Sequence, residues 1–287
     1  LAGYDLFREA KVRRFWARSP DSALRPLLLD RLYPWLARSP ARVKALQRAF
    51  FGKGLHRAGE PHFSHLPRWE SAASLMRLFS PDTLQALHGV DTVQNLLDDL
   101  PAEAHTWEPL GQAQYLEITT LLSGYLLSSQ GDRMLMGHSV EGRFPFLDHN
   151  VMELACALPP EVKLRVLSEK HVLKEAARDL VPPGILQRAK QPYRAPDAQS
   201  FVQDQGPDYL EEVLSPERLE QAGIFAPKPA RMLLEKCRRM GSDRTPSNAD
   251  NMALLGLIST QLLHHQLILG NGPLAPAPLE LDPWIEA

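Results

Sequence analysis

Apolar residues recur at helical spacing in nearly every segment of this chain, and prolines separate the segments at short intervals. In the segment YDLFREAKVRRFW, for example, Leu6, Val12 and Trp16 lie within helical reach of one another. Pro40 and Pro159 each end such a segment, because proline does not continue a helix. No set of strands with alternating polarity and no repeat of fixed period is visible. The pattern therefore predicts a predominantly α-helical chain.

The longest periodic run, GQAQYLEITTLLSGYLLSSQGDR, covers residues 111–133. Its apolar residues at helical spacing are Tyr115, Ile118, Leu122, Tyr125 and Leu126. Residues 52–70, GKGLHRAGEPHFSHLPRWE, are rich in Gly, His and Pro, and this composition predicts a loop or insertion. Residues 271–287 are rich in proline and are predicted to form an extended tail.

Composition excludes several classes of protein. The 287 residues suffice for one large domain or two small ones, and 44% hydrophobic with 23% charged residues is typical of a soluble globular protein. A net charge of −2 gives no general attraction to nucleic acid or to an anionic membrane. No apolar run reaches the ~18 residues of a membrane span, and no signal peptide is visible. Because the chain begins with Leu1 and not with Met, we expect it to be a piece of a longer protein.

The chain contains two cysteines, Cys156 and Cys237. Neither stands in a C-x-x-C or Cys/His spacing that suggests a metal site. We therefore expect two reduced thiols in a cytoplasmic protein, with no bound structural metal.

The stretch HSVEGRFPFLDH at residues 138–149 combines charged and aromatic residues beside apolar segments. Pro145 favours an extended backbone at Phe144, so Phe144 and Phe146 are predicted to point to the same side. Glu141 and Arg143 would point to the other side. We predict that the phenylalanines anchor a turn in the core while the acid and the base face a cavity.

Two interpretations of this stretch follow from spacing alone. In one, Glu141 and Arg143 take part in chemistry. In the other, they form a structural ion pair while Asp148 caps the following helix. Spacing favours the second interpretation, because a buried acid and base must be paired but need not react.

The segment GDRMLMGHSVEGRFPFLDHNVMELACALP closely resembles the synthetase domain of the glutamine-dependent asparagine synthetases. That family has the pattern D-R-x-x-M-x-x-x-x-E-x-R-x-P-F-L-D, followed by a helix ending in L-P. Three further stretches fit in order: the GY at Gly3–Tyr4, EKHVLKEAARDLVPPGILQRAKQPYRAP, and SNADNMALLGLISTQLLHH. The resemblance covers residues 1–8 and 112–270.

The resemblance implies an α/β fold of the adenine-nucleotide α-hydrolase-like class (a PP-loop ATP pyrophosphatase). Residues 1–270 would be its C-terminal helical part, and the sheet half would lie upstream. Members of the family adenylate a carboxylate with ATP and transfer ammonia from glutamine, which gives the amide, AMP and pyrophosphate. The implied cofactors are ATP and Mg²⁺, held mainly by residues upstream of Leu1. The implied partners are a small carboxylate such as aspartate, glutamine or ammonia, the upstream half and a second copy in a homodimer, with no nucleic acid or membrane.

The resemblance also assigns three catalytic residues. Lys170, in SEKHVL, would neutralise phosphate or intermediate charge, a task that suits a compact ammonium on a flexible stem. Glu141 would orient or deprotonate the nucleophile. In relatives that cyclise their substrates a tyrosine–glutamate pair does this work, and Tyr4 and Glu141 stand at the matching positions.

Four further residues are implied in substrate or phosphate binding. Arg133 matches a position that the family fills with a cation near the phosphates, and Arg143 belongs to the same motif. Lys190 and Tyr193, in AKQPYRAPDA, would border the substrate side.

The chain also departs from the family pattern. It lacks the ATP-binding S-G-G-x-D-S loop, the acidic G-A-D-E stretch and the N-terminal cysteine of the glutaminase domain. Gln130 stands where many relatives carry a basic residue. We therefore expect residues 1–287 alone to be inactive. Two alternatives stay open: a non-catalytic scaffold or regulatory partner, and an intramolecular amide-forming cyclase.

Overall fold

A computed structural model describes residues 1–33, 39–188, 198–203, 206–240 and 246–270. The predicted binding residues Lys190 and Tyr193 and the predicted tail 271–287 lie outside these ranges. The chain divides into two compact units. Unit 1 comprises Leu1–Trp69 and Thr92–Lys190, and unit 2 comprises Glu70–Asp91 and Gln191–Ala287.

The predicted helical character is confirmed over the described ranges. There, β-structure is limited to two isolated antiparallel bridges, Phe79 with Phe225 and Arg165 with Ser168. The α-helices, in chain order, are α1 (Asp5–Ala17), α2 (Leu29–Leu32), α3 (Ala41–Phe51), α4 (Leu66–Ala73), α5 (Pro81–Ala86), α6 (Thr92–Asp98), α7 (Pro109–Glu117), α8 (Arg133–Gly137), α9 (His149–Ala157), α10 (Pro160–Lys163), α11 (His171–Ala176), α12 (Pro183–Leu186), α13 (Gln199–Val202), α14 (Tyr209–Val213), α15 (Pro216–Ala222), α16 (Pro227–Arg239) and α17 (Asn248–Leu263).

Several helices begin at side-chain caps that the sequence contains. Ser80 accepts a hydrogen bond from the backbone N–H of Thr83 at 3.1 Å, and Pro81 follows as the first helical residue of α5. Asp148 accepts hydrogen bonds from the backbone N–H groups of Asn150 and Val151 at the start of α9. The prediction that Asp148 caps this helix is therefore confirmed.

The longest periodic run is helical, but it is not one α-helix. After α7, residues Ile118–Asp132 form a π-helix, and α8 then continues the chain. In the π-helix each N–H bonds five residues back, one residue further than in an α-helix. No residue of Ile118–Asp132 is buried. The predicted helix is confirmed, with its winding changing from α to π after Glu117.

Each unit has its own apolar core. In unit 1, α1 contributes to two clusters: Ala2, Leu6, Phe7, Ala113 and Leu164 form the first, and Val12, Trp16, Leu29, Leu32 and Phe51 form the second. In unit 2 the buried faces of α14–α17 pack together with Leu78. Cys237 of α16 lies in this core, and burial raises the pKa of its thiol.

The segment predicted as a loop is shorter than expected. Leu55–Arg57 form a 3₁₀ turn, and α4 begins at Leu66, so the non-helical part ends before residue 70. Phe63 in this segment is fully buried. Composition alone misses this packing, because Gly, Pro and His indicate turns without showing which aromatic residue becomes anchored.

Candidate functional site

A cavity of about 300 Å³ lies within unit 1, and we call it the α7–α9 cavity. It is bordered by α1, α7, the π-helix, α9, α10 and the residue before α11. Its apolar lining includes Phe7, Ile118, Leu122, Met152 and Ala155. Its polar lining includes Tyr4, Gln114, Glu117, Cys156, Lys163 and Lys170. The cavity therefore combines apolar walls with a few charged groups, as is usual for small-molecule sites.

Two lysines reach this cavity from different elements. Lys163, the last residue of α10, is 5% exposed and donates to the backbone oxygen of Ala155 at 3.2 Å. Burial lowers the pKa of Lys163, and nearby Cys156 opposes this shift. Lys170 has a left-handed backbone with φ of 52°, and its side chain lies directly over Gly3. A Cβ at Gly3 would meet Lys170 Cε at 2.4 Å, so Gly3 leaves the space that Lys170 occupies.

The carboxylate of the cavity is Glu117, at the end of α7. His65 Nε2 lies 3.3 Å from Glu117 Oε1, and both side chains are largely buried. His65 is itself held by Ser64, whose hydroxyl lies 2.8 Å from His65 Nδ1, and by the ring of Trp69 at 5.0 Å between centroids. Within the described residues, Glu117 Oε2 is buried and has no hydrogen-bond partner.

Tyr4 lies on the same cavity as Glu117. Burial raises the pKa of the Tyr4 phenol, and the negative charge of Glu117 raises it further. At neutral pH Tyr4 is therefore a neutral hydroxyl near a carboxylate. The structure brings together two of the predicted catalytic residues, Tyr4 and Lys170.

Glu141 does not line the α7–α9 cavity. Glu141 Oε1 and Arg143 Nη2 form an ion pair at 2.7 Å, with side chains 75% and 78% exposed. The prediction that the neighbouring phenylalanines anchor this turn in the core is wrong, because Phe144 and Phe146 are 42% and 57% exposed. The physical reason is that Pro145 starts a 3₁₀ turn, Pro145–Leu147, which ends the extended backbone that the prediction assumed.

Arg133 begins α8 as an exposed residue and is also absent from the lining of this cavity. Sequence reasoning missed Glu117, His65 and Lys163. The one available signal was the cluster of histidines in residues 52–70, which has no counterpart in the family pattern.

The described residues do not fit a magnesium ion. They contain no group of three His, Cys, Asp or Glu side chains close enough to hold a metal ion. Mg²⁺ prefers carboxylate oxygens, and the α7–α9 cavity offers one carboxylate beside two ammonium groups. The two lysines fit an anionic group instead. Among the described residues, no helix is both long and apolar enough to cross a membrane.

Comparison with known proteins extends over most of the chain. Residues 1–265 match the asparagine synthase family. A putative glutamine-hydrolysing asparagine synthetase of Mycobacterium tuberculosis is 30% identical over 204 residues, which is 68% of this chain and 28% of that protein. No solved structure matches the chain.

Two further relatives match shorter parts of the chain. The protein named amidase chry2 of Gibberella zeae is 35% identical over 96 residues, which is 31% of this chain and 14% of that protein. Asparagine synthetase 1 of Bacillus subtilis is 34% identical over 94 residues, which is 33% of this chain and 15% of that protein. The matched part therefore spans less than a third of the length of each of these relatives.

Proposed function

Because the chain belongs to the asparagine synthase family, we propose that it is part of an ATP-dependent ligase that forms an amide. The ligase adenylates a small-molecule carboxylate, with aspartate as the first acid to test. It then transfers ammonia from glutamine and releases the amide, AMP and pyrophosphate. In this proposal an α/β sheet half, upstream in the same protein, holds ATP and Mg²⁺.

The observation that carries the proposal is the arrangement of charges in the α7–α9 cavity. Lys170 lies opposite apolar walls, where its ammonium can neutralise negative charge on the acyl group and on the departing pyrophosphate. The apolar walls reduce the contact of an acyl group with water, which would otherwise hydrolyse it. These are the two requirements of a reaction that passes through an acyl-adenylate.

In this proposal, Glu117 and Tyr4 provide the base that deprotonates the attacking amine. The attacking amine must lose a proton as the amide bond forms, and a carboxylate within reach can accept that proton. His65 Nε2 lies 3.3 Å from Glu117 Oε1, and Oε2 is buried without a hydrogen-bond partner among the described residues. We propose Glu117 as the carboxylate that works with Tyr4. A catalytic role for the exposed Glu141 remains a prediction and requires contacts beyond the described residues.

The test uses the full-length protein with ATP, glutamine and a panel of carboxylic acids. Pyrophosphate release and amide mass are measured for the wild type, for Lys170→Ala and for the control Lys228→Ala, which removes an exposed lysine of unit 2. We expect activity in the wild type and the control, and a large loss in Lys170→Ala. The absence of acid-dependent pyrophosphate release across the panel would overturn the proposal and favour the non-catalytic scaffold.

The cyclase is the second candidate, and the proximity of Tyr4 and Glu117 favours it. The resemblance assigns a tyrosine–glutamate pair, with Tyr4 and Glu141 at the matching positions, to relatives that close a ring with an internal amine, and in this proposal Glu117 takes the place of Glu141. Incubation of the full-length protein with ATP and an amino-substituted acid, without glutamine or ammonia, distinguishes the two. A product that has lost the elements of water supports the cyclase, and strict dependence on glutamine or ammonia supports the ligase.

A further inference from the structure

Lys163 is a buried cation whose charge is not balanced by a carboxylate. It is 5% exposed, and its ammonium donates to the carbonyl of Ala155. No carboxylate lies within ion-pair distance of it in the part of the chain that the structure describes. A buried ammonium is costly unless an anion accompanies it, so the site has an unmet need for negative charge.

The surroundings of Lys163 determine which anion fits. Lys170 adds a second positive charge to the same cavity, and Glu117, the carboxylate among its described lining residues, lies 3.3 Å from His65 Nε2. Among the side chains that line the cavity, two positive charges therefore face one negative charge. Its volume of about 300 Å³ suits a small organic molecule.

The apolar walls of the cavity determine which chemical groups the ligand can carry beyond its anionic group. Phe7, Leu122 and Met152 present hydrocarbon and aromatic surface to the cavity. An aspartate molecule could place its charged groups on Lys163, Lys170 and Glu117, but it would leave this apolar surface largely uncovered. Polar groups without hydrogen-bond partners are disfavoured there, whereas an apolar chain or ring gains from leaving water.

We propose that the α7–α9 cavity binds a carboxylic acid with an apolar body, its carboxylate on Lys163 and its hydrocarbon part against Phe7 and Leu122. The inference rests on the proposed function, since it names the class of acid that the ligase adenylates. It predicts that the acid is selected by its apolar part, so that aspartate binds more weakly than an acid with a hydrocarbon body.

The test measures binding to the full-length protein by calorimetry, without ATP, using 3-phenylpropanoate as the probe. We expect binding by the wild type and by the control Lys228→Met, and affinity weaker by about tenfold or more in Lys163→Met. The neutral 3-phenylpropanamide, with the same apolar body, should bind the wild type weaker by a similar factor.

Thermal unfolding of the same variants separates ligand binding from a structural role. Removing an unbalanced buried charge should leave the melting temperature of Lys163→Met unchanged or raise it. Lys163→Gln provides a second variant that keeps a hydrogen-bond donor without the charge. Weaker probe binding in both variants, with intact folding, supports the proposal.

Three results would overturn the inference: Lys163-dependent binding of aspartate in place of the probe, Lys163-dependent binding of ATP alone, or equal affinity for the acid and its amide. The results are different if the proposed ligase function is wrong but the inferred binding site is right. In that case no acid would support pyrophosphate release, while 3-phenylpropanoate would still bind in a Lys163-dependent manner.

Discussion

The guanidinium of Arg13 lies 4.0 Å from the ring centroid of Phe63 and donates to the backbone oxygen of the same residue at 2.6 Å. It also donates to the backbone oxygens of Phe51 at 2.9 Å and Lys53 at 2.6 Å. Arg13 is 1% exposed. A single side chain of α1 thus holds residues 51–63, which lead from the end of α3 toward His65, the histidine beside Glu117.

Replacing Arg13 should destabilise unit 1. Arg13→Met removes the donor from three carbonyl oxygens, those of Phe51 and Phe63 being buried, and we expect the free energy of unfolding to fall by about 3 kcal/mol. Arg18→Met, at an exposed arginine just after the same helix, is the matched control and should change it by less than about 0.5 kcal/mol. Urea unfolding of the full-length protein measures both. Equal stability of the two variants would contradict the anchoring role.

Asp250 should make unit 2 sensitive to acid. Burial raises the pKa of Asp250, but hydrogen bonds from Lys236 at 2.7 Å and Ser247 at 2.6 Å, with the charge of Arg77, outweigh burial and lower it. A lowered folded-state pKa contributes stability above the unfolded pKa of about 3.9, and that stability is lost as pH falls through the folded pKa.

Asp250→Asn should therefore lower the free energy of unfolding at pH 7 by on the order of 1–3 kcal/mol. The difference from wild type should shrink below about pH 4. Unfolding curves collected between neutral and acidic pH test this, with Glu235→Gln as an exposed control on α16. A constant difference between wild type and Asp250→Asn across that range would show that the carboxylate charge does not matter.

Replacing Glu117 and Glu141 separately by glutamine shows which of the two carboxylates takes part in amide formation. Glu117→Gln should slow amide formation in the full-length protein by about 10²-fold or more, because it removes the proton acceptor of the cavity. Glu141→Gln breaks an exposed ion pair worth about 0–1 kcal/mol and should leave rate and stability near wild type. Amide formation by mass spectrometry gives both rates. The reverse ranking would restore Glu141 as the catalytic carboxylate.

Gly3 should matter for activity more than for stability. Gly3→Ala places a Cβ 2.4 Å from Lys170 Cε, and a flexible lysine can move away, so Lys170 should be displaced from the cavity. We expect amide formation to fall by about tenfold or more, with a change in melting temperature below about 4 °C. Gly59→Ala, where an added Cβ meets nothing within 4 Å, should change neither quantity.

Local patterns predict the helical class and several helix starts, because caps and prolines act through neighbouring residues. They do not predict the π-helix after Glu117, since a periodic apolar run fits two windings and the sequence contains no proline or cap that decides between them. The exposure of Phe144 and Phe146 was missed for a related reason. Apolar character indicates a preference for burial, but the packing partner must also be present.

The site was predictable in part. Tyr4 and Lys170 carry the family motifs, and both lie on the α7–α9 cavity. His65 and Glu117 are 52 positions apart by their numbers in the chain and meet only through tertiary packing. Lys163 looks like an ordinary helix-face lysine in the sequence, because burial is a property of the assembled fold.

The two segments of unit 2 leave the ribosome at different times. The hydroxyl of Ser80 donates to the carbonyl of Gly223, which lies 143 residues later in the chain, and Leu78 accepts from the N–H of Ala226. At about 5–20 residues per second, Leu78 waits roughly 7 to 30 s for its partners. During that interval an apolar segment is accessible to chaperones and proteases. These contacts of unit 2 can therefore form only after residue 226 has been synthesised.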